Sequence, residues 1–264
     1  MSQHFQEEPH NAITDSSIAR VIPCKELALS DPFKWLALGF RDLLRAPILT
    51  VFFGVFFALI PWLITYLVAL TGWHLVILPA MVCFMLIGPF LAAALYDISW
   101  EFGKGHKPTL WHAVKAVKRN AVNEWGFGIL LMVLMIFWLR VASMIHALYP
   151  SYLGDNLEEL LPFLVLGTVV GAVFTGIVFL LSAFTQPILM ERKVDLATAV
   201  LTSVNAVWLN KGAMFVWAMI IFVAVVIGFL TGFVGFVLLM PLIGYATWHG
   251  YIETIETKRE RKFE

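Results

Sequence analysis

The side chains in this sequence that could do chemistry are few and lie far apart. Arg140 interrupts an apolar stretch at Trp138-Leu139-Arg140, while His74 and His146 stand close to the ends of apolar runs. Asp97, Asp195 and His249 each follow a proline by eight residues, namely Pro89, Pro187 and Pro241. A charge near the bilayer centre costs roughly 2.5–3.5 kcal/mol on insertion scales, so an intramembrane arginine is a candidate anion or substrate contact. Two histidines near one membrane face could share a metal or a lipid headgroup. Each residue also has a plainer reading. Arg140 lies near enough to the end of its run for its stem to carry the guanidinium to the headgroups, or for it to pair with Asp155, Glu158 or Glu159. His74 and His146 read equally as interfacial imidazoles. Trp248-His249 reads as an aromatic anchor with a hydrogen-bonded imidazole, and Asp97 and Asp195 as polar groups at helix ends. No Ser-His-Asp set, phosphate-binding glycine loop, His-Glu-x-x-His or Cys-x-x-Cys occurs. The sequence therefore points to no enzyme activity, no catalytic residue, no cofactor and no metal.

The elements that carry these residues are set by hydrophobicity. The chain is 60% hydrophobic and 14% charged, against about 25% charged in soluble domains. Residues 46–73, 75–96, 160–190 and 212–248 contain no charged residue and no histidine. A bilayer core about 30 Å thick needs roughly 20 apolar residues in a helix, so each run is long enough to cross. The expectation is an all-α polytopic membrane protein with spans near 48–70, 75–99, 125–148, 162–190, 213–230 and 233–254. The last two share one long run, which Gly228, Gly232 and Gly235 would divide. A single span plus a re-entrant loop is the alternative there.

Every one of the 18 Lys and Arg residues except Arg140 falls in the N-terminal region, the 100–124 and 191–211 loops or the C-terminal tail. The positive-inside rule then puts both termini in the cytoplasm. The first 45 residues hold no apolar stretch suited to a cleaved signal, and a bacterial inner membrane is the expected home. Net charge is zero, with no basic domain for nucleic acid. Cys24 in the polar N-terminal region and Cys83 in a span are not placed to form a disulfide.

Amphipathic segments precede the spans in pairs. Ser30-Asp31-Pro32 marks a helix start with Asp31 as N-cap, and Phe33, Leu36, Phe40 and Leu43 form a stripe away from Lys34, Arg41 and Arg45. Leu110, Val114, Val117 and Ala121 form a second stripe, opposed by Lys115, Lys118 and Arg119. Ala197, Val200, Leu201, Val204, Val207 and Trp208 form a third. With kinks at Pro89, Pro187 and Pro241, this predicts three hairpins, each preceded by a cytoplasmic surface helix. A threefold repeat would then run over 31–105, 107–193 and 194–256, inside one membrane domain of 31–256. A polar tail (1–30) and a charged tail (257–264) flank it, and Trp35, Trp111 and Trp208 are expected at headgroup level. Gly167, Gly171 and Gly176 give the fourth span a small-residue ridge suited to close helix approach, within the chain or between chains.

The run Gly88-Pro89-Phe90-Leu91-Ala92-Ala93-Ala94-Leu95-Tyr96-Asp97-Ile98-Ser99 resembles a bacterial integral membrane family of unknown function (domain of unknown function 2189). Pro187-Ile188-Leu189-Met190 and Ala246-Thr247-Trp248-His249-Gly250-Tyr251 extend the resemblance over about 30–255. Some members carry the label cytochrome c oxidase subunit, which implies a respiratory complex. Four of the seven histidines (His4, His10, His106 and His112) lie outside the spans, and the other three are too scattered for a haem-copper centre. The resemblance implies the architecture and no activity. The expected partners are the lipid bilayer and other membrane protein subunits, in an accessory or assembly role. A small-solute transporter or channel is the competing expectation.

Overall fold

The computed structural model describes residues 21–72, 77–116, 121–148 and 157–256. Among the described residues the chain forms ten α-helices: α1 (Asp31–Arg45), α2 (Pro47–Thr71), α3 (Ile77–Gly103), α4 (Leu110–Ala116), α5 (Ala121–Leu148), α6 (Leu157–Ser182), α7 (Thr185–Glu191), α8 (Leu196–Leu209), α9 (Lys211–Leu230) and α10 (Phe236–Thr254). Among the described residues four stretches are long and apolar enough to cross a membrane: Pro47–Leu70, Ala121–Leu148, Leu160–Glu191 and Lys211–Leu230. The helices α3 and α10 occupy the chain positions of the second and sixth expected spans.

Local chemistry explains several boundaries. Ser30, not Asp31, is the N-cap of α1, and no side chain caps it. Asp31 instead sits in the first turn, accepting from the Ala28 N–H at 2.7 Å and from Lys34 Nζ at 2.5 Å. The fourth expected span is not continuous. It stops at Ser182 and restarts at Thr185, because Pro187 lacks an N–H and its ring crowds the carbonyl four residues back. The long run 212–248 divides into α9 and α10, joined through residues 231–235. Gly232 takes φ +59 there, a left-handed backbone that glycine adopts without strain.

The helices α1, α4 and α8, expected at the membrane surface, bury mostly small and polar residues, with Trp35 and Val207 as the larger exceptions. In α1 the buried residues are Asp31, Pro32, Trp35, Gly39 and Asp42, while Phe33, Phe40 and Leu44 are exposed. In α4 Ala113 and Ala116 are buried, and Leu110, Trp111 and Val114 are exposed. In α8 the buried face includes Thr198, Ala199, Thr202, Ser203 and Ala206, with Leu201 and Trp208 outward. Trp35, expected at headgroup level, is fully buried, and its Nε1 donates to Glu253 Oε2 at 2.5 Å.

The packed core gathers around α10. The helices α1 and α2 pack most extensively on it, and α3, α7 and α9 also touch it. Trp35, Phe184, Met214, Trp217, Trp248 and Tyr251 belong to one buried cluster. The glycines make this possible. A Cβ at Gly54 would fall 1.9 Å from Val237 O, and one at Gly39 would fall 2.7 Å from Ala246 N. Residues 21–29, expected in the polar tail, run as an extended strap over this end. Lys25 N donates to Thr254 O at 2.8 Å, Glu256 N to Pro23 O at 2.9 Å, and Leu27 N to Asn210 Oδ1 at 2.8 Å.

Gly54→Ala forces a methyl against the α10 backbone, and overpacking of this kind costs about 1–3 kcal/mol. Thermal unfolding of the detergent-purified chain should show Gly54→Ala destabilised. Gly167→Ala, where nothing lies within 4 Å of the added Cβ, should unfold no earlier than the wild type.

Candidate functional site

Polar chemistry concentrates where the surface helices meet α3 and α10. The Asp42 carboxylate is 1% exposed on the inner face of α1, and its Oδ2 lies 2.7 Å from His249 Nε2 of α10. The second Asp42 oxygen faces the Arg45 guanidinium at 3.9 Å. Taking a carboxylate out of water is costly unless it is paired, and these two partners from two elements supply the pairing.

A second cluster joins α3 to the loop after it and to α4. Asp97 is 1% exposed, and its Oδ2 lies 2.6 Å from His112 Nδ1. One turn further along α3, the buried Glu101 receives Lys104 Nζ at 3.2 Å and faces His106 Nδ1 at 3.3 Å. The Lys104 ammonium also sits 4.0 Å over the Trp100 ring, a cation–π contact. Asp97, Glu101 and His112 each offer a ligand atom within 4.8 Å of one another. By chemistry such an oxygen- and imidazole-donor set suits a first-row divalent metal. The same two carboxylates already have Lys104, His106 and His112 as partners, which makes a structural hydrogen-bonded cluster an equally complete account.

A third group closes the ring of contacts. Tyr251 of α10 donates to Glu191 of α7, and Arg192 Nε donates to the Tyr251 hydroxyl at 3.0 Å. Thr50 and Tyr245 bond through their hydroxyls at 3.1 Å between α2 and α10. Ser203 of α8 donates to Leu180 O at 3.0 Å and accepts from the Phe184 N–H at 3.1 Å. Asp195 is the side-chain cap of α8, accepting from Thr198 Oγ1 at 2.6 Å and Thr198 N at 3.0 Å. These hydrogen bonds, the hydroxyl first, hold its carboxyl below the usual carboxylate range.

The other expected residues are dispersed. Arg140 is exposed on α5. Its expected partner Asp155 lies outside the described residues, as do the side chains of Glu158 and Glu159. His74 also lies outside them. His146 is exposed, edge-on to the Phe163 ring at 6.1 Å. Pro89, Pro187 and Pro241 are all buried. On α6, a Cβ at Gly171 would meet the Trp138 ring at 3.3 Å, whereas nothing lies within 4 Å of one at Gly167 or Gly176.

Sequence reading had marked Asp97 and His249 but missed their partners Asp42 and His112, and also Glu101. A signal existed for Asp42 and Glu101 as positions, though not for the contacts they make, and none existed for His112. Asp42 is on the face of α1 that carries Trp35 and Gly39, and Asp97 and Glu101 are one helical turn apart.

Residues 77–191 match the model of a family described as "Predicted integral membrane protein (DUF2189)". The resemblance carried by the Gly88–Ser99 and Pro187–Met190 motifs therefore holds over that segment. Searches of curated proteins and of solved structures found no match.

Removing one partner of a buried hydrogen bond leaves the other unsatisfied, at a cost of about 1–3 kcal/mol. Asp42→Ala should approach that range in thermal or denaturant unfolding. The double variant Asp42→Ala/His249→Leu should cost less than the sum of the two single changes, giving a coupling of about 0.5–3 kcal/mol. Strict additivity would show that the pair contributes nothing as a pair.

Proposed function

We propose that this integral membrane protein is a non-enzymatic accessory or assembly partner of a larger membrane complex. It would have six spans arranged as three hairpins, with both termini in the cytoplasm of a bacterial cell. The orientation is supported by the distribution of Lys and Arg residues. The helices α3 and α10 would supply the second and sixth spans. Their polar ends, with Asp97 and Glu101 on one and His249 and Glu253 on the other, would sit at the cytoplasmic headgroup level.

A repeated architecture is supported by the order of helix contacts. The helix α4 packs on α3, α8 packs on α6 and α7, and α1 packs on α10. Each surface helix thus docks on the proline-bearing helix of the preceding unit, and the first docks on the last. A cyclic arrangement of three units has this property. The outward Phe33, Phe40, Leu110, Trp111, Leu201 and Trp208 suit surface helices whose apolar faces rest in the bilayer interface.

The observation that carries the functional reading is the bareness of the fourth span. The most apolar stretch of Leu160–Glu191 is 0% buried within the chain, and Gly167 and Gly176 have open space beside them. A small-residue surface allows the backbone of another helix to approach closely. The family label that points to respiration fits an accessory subunit. Transport would need polar groups along the depth of the bilayer. The paired groups described above cluster instead at one end of the helices.

Purification in mild detergent or native nanodiscs, followed by mass spectrometry, tests this reading. Other membrane subunits should co-purify with the wild type. Gly167→Leu should reduce that association without changing the thermal stability of the isolated chain. A lone chain in native nanodiscs, together with solute flux in liposomes that is lost on changing Arg140, would favour the transporter.

A further inference from the structure

We propose that the elbow between α1 and α2 is a discrete binding site for an anionic phospholipid. A cavity of about 610 Å³ opens there, lined by Arg45, Pro47 and Ile48 on one side and by Phe102, His106 and Lys107 on the other. The first side is the junction of the surface helix with a helix long enough to cross the membrane. The second is the end of α3 and the loop after it, where Gly105 turns with φ +77. The cavity therefore sits where headgroups meet the polar end of the bundle.

Its chemistry selects a phosphate. Two permanent cations and an imidazole line it, with no carboxylate among the lining residues. The nearest acids are shared with partners behind the cavity: Asp42 with His249 as well as Arg45, and Glu101 with Lys104 as well as His106. The Arg45 guanidinium is half-exposed, 5.7 Å over the Phe102 ring, so it is steered toward the cavity while its remaining N–H groups stay available. The helix α2 begins here with Pro47 and has no side-chain cap. Pro47 brings no N–H, and the C-terminal ends of α1 and α3 lie at the same junction, so the anion preference rests on the side chains rather than on a helix dipole.

A phospholipid rather than a free ion is indicated by what continues from the cavity. Ile48, Val51 and Val55 stand exposed along one face of α2, giving an acyl chain an apolar track leading away from the cationic mouth. A comparison within the molecule sharpens the assignment. The elbow between α8 and α9 also opens a cavity, of about 370 Å³, near Lys211 and Trp208. Glu26 lines that one, and the single Lys211 ammonium lies 3.9 Å over Trp208. Its charge is offset, so the first elbow should hold the lipid more tightly.

The test measures binding of phosphatidylglycerol, phosphatidylcholine and inorganic phosphate separately to the full-length protein, by native mass spectrometry with thermal shift as a second readout. Phosphatidylglycerol should bind and stabilise, while phosphatidylcholine and inorganic phosphate at the same concentration should do neither. Each surface cation contributes about 1 kcal/mol near an anionic membrane, so Arg45→Ala and Lys107→Ala should each weaken binding about fivefold, and together about thirtyfold. Lys107→Glu, in a loop and clear of the Arg45–Asp42 contact, should weaken it without lowering stability in phosphatidylcholine. Lys211→Ala should leave binding unchanged. Equal binding of both lipids, equal binding of inorganic phosphate, or equal losses from Lys211→Ala and Arg45→Ala would each overturn the assignment. None of these outcomes depends on whether a protein partner exists.

Discussion

A carboxylate removed from water must find a partner inside the protein, and much of this structure follows from that requirement. Asp42 and Asp97 are almost wholly buried, and each meets an imidazole from a different helix. The first pair ties α1 to α10 across most of the chain length, and the second ties α4 to α3. Neither surface helix could slide or rotate on its neighbour without exposing an unpaired charge to apolar surroundings. The Ser203 hydroxyl does related work for α8, donating to Leu180 O and accepting from the Phe184 N–H at the α6–α7 junction. The close helix approaches at Gly39 and Gly54 are then held in one register.

That requirement also explains why the amphipathic helices resist a reading by the rules for soluble proteins. In water, the apolar stripe of α1 would face the core and Asp42 would face out. Here Phe33 and Phe40 point outward, and Trp35, Gly39 and Asp42 point in. The same inversion holds in α4 with Ala113 and Ala116, and in part in α8, where Thr198, Thr202 and Ser203 are buried together with Val207 of the apolar stripe. A bilayer interface removes the penalty on exposed apolar groups, and small residues allow backbones to approach closely. The stripes were visible in the sequence as stripes, but which side packs on the protein depends on the surrounding solvent.

Most helices were legible from charge-free runs and prolines, since length and hydropathy decide whether a helix can cross a bilayer. The division of 212–248 was legible too from its glycines, of which Gly232 takes the left-handed backbone, although Phe233 beside it does so as well. The break after Ser182 was less so, since proline inside an apolar run signals a kink without saying whether the helix reforms. For the site, the position eight residues after each proline singled out Asp97, Asp195 and His249. Their environments then diverged: two are in buried or half-buried pairs and Asp195 is an exposed cap. The partners Asp42 and His112 come from other helices, and local spacing contains no record of such tertiary contacts.

On this account the polar end is the fixed part of the molecule, and the apolar helix faces are covered by lipid or by other membrane helices. The central claim is that the outward stripes of the surface helices rest in the bilayer interface. Spin labels at cysteine-substituted Phe40, Trp111 and Leu201, in reconstituted vesicles, measure this directly by power saturation. The account predicts that oxygen, which partitions into lipid, relaxes these labels more effectively than a water-soluble nickel chelate does. Stronger relaxation by the nickel chelate at all three positions would contradict it.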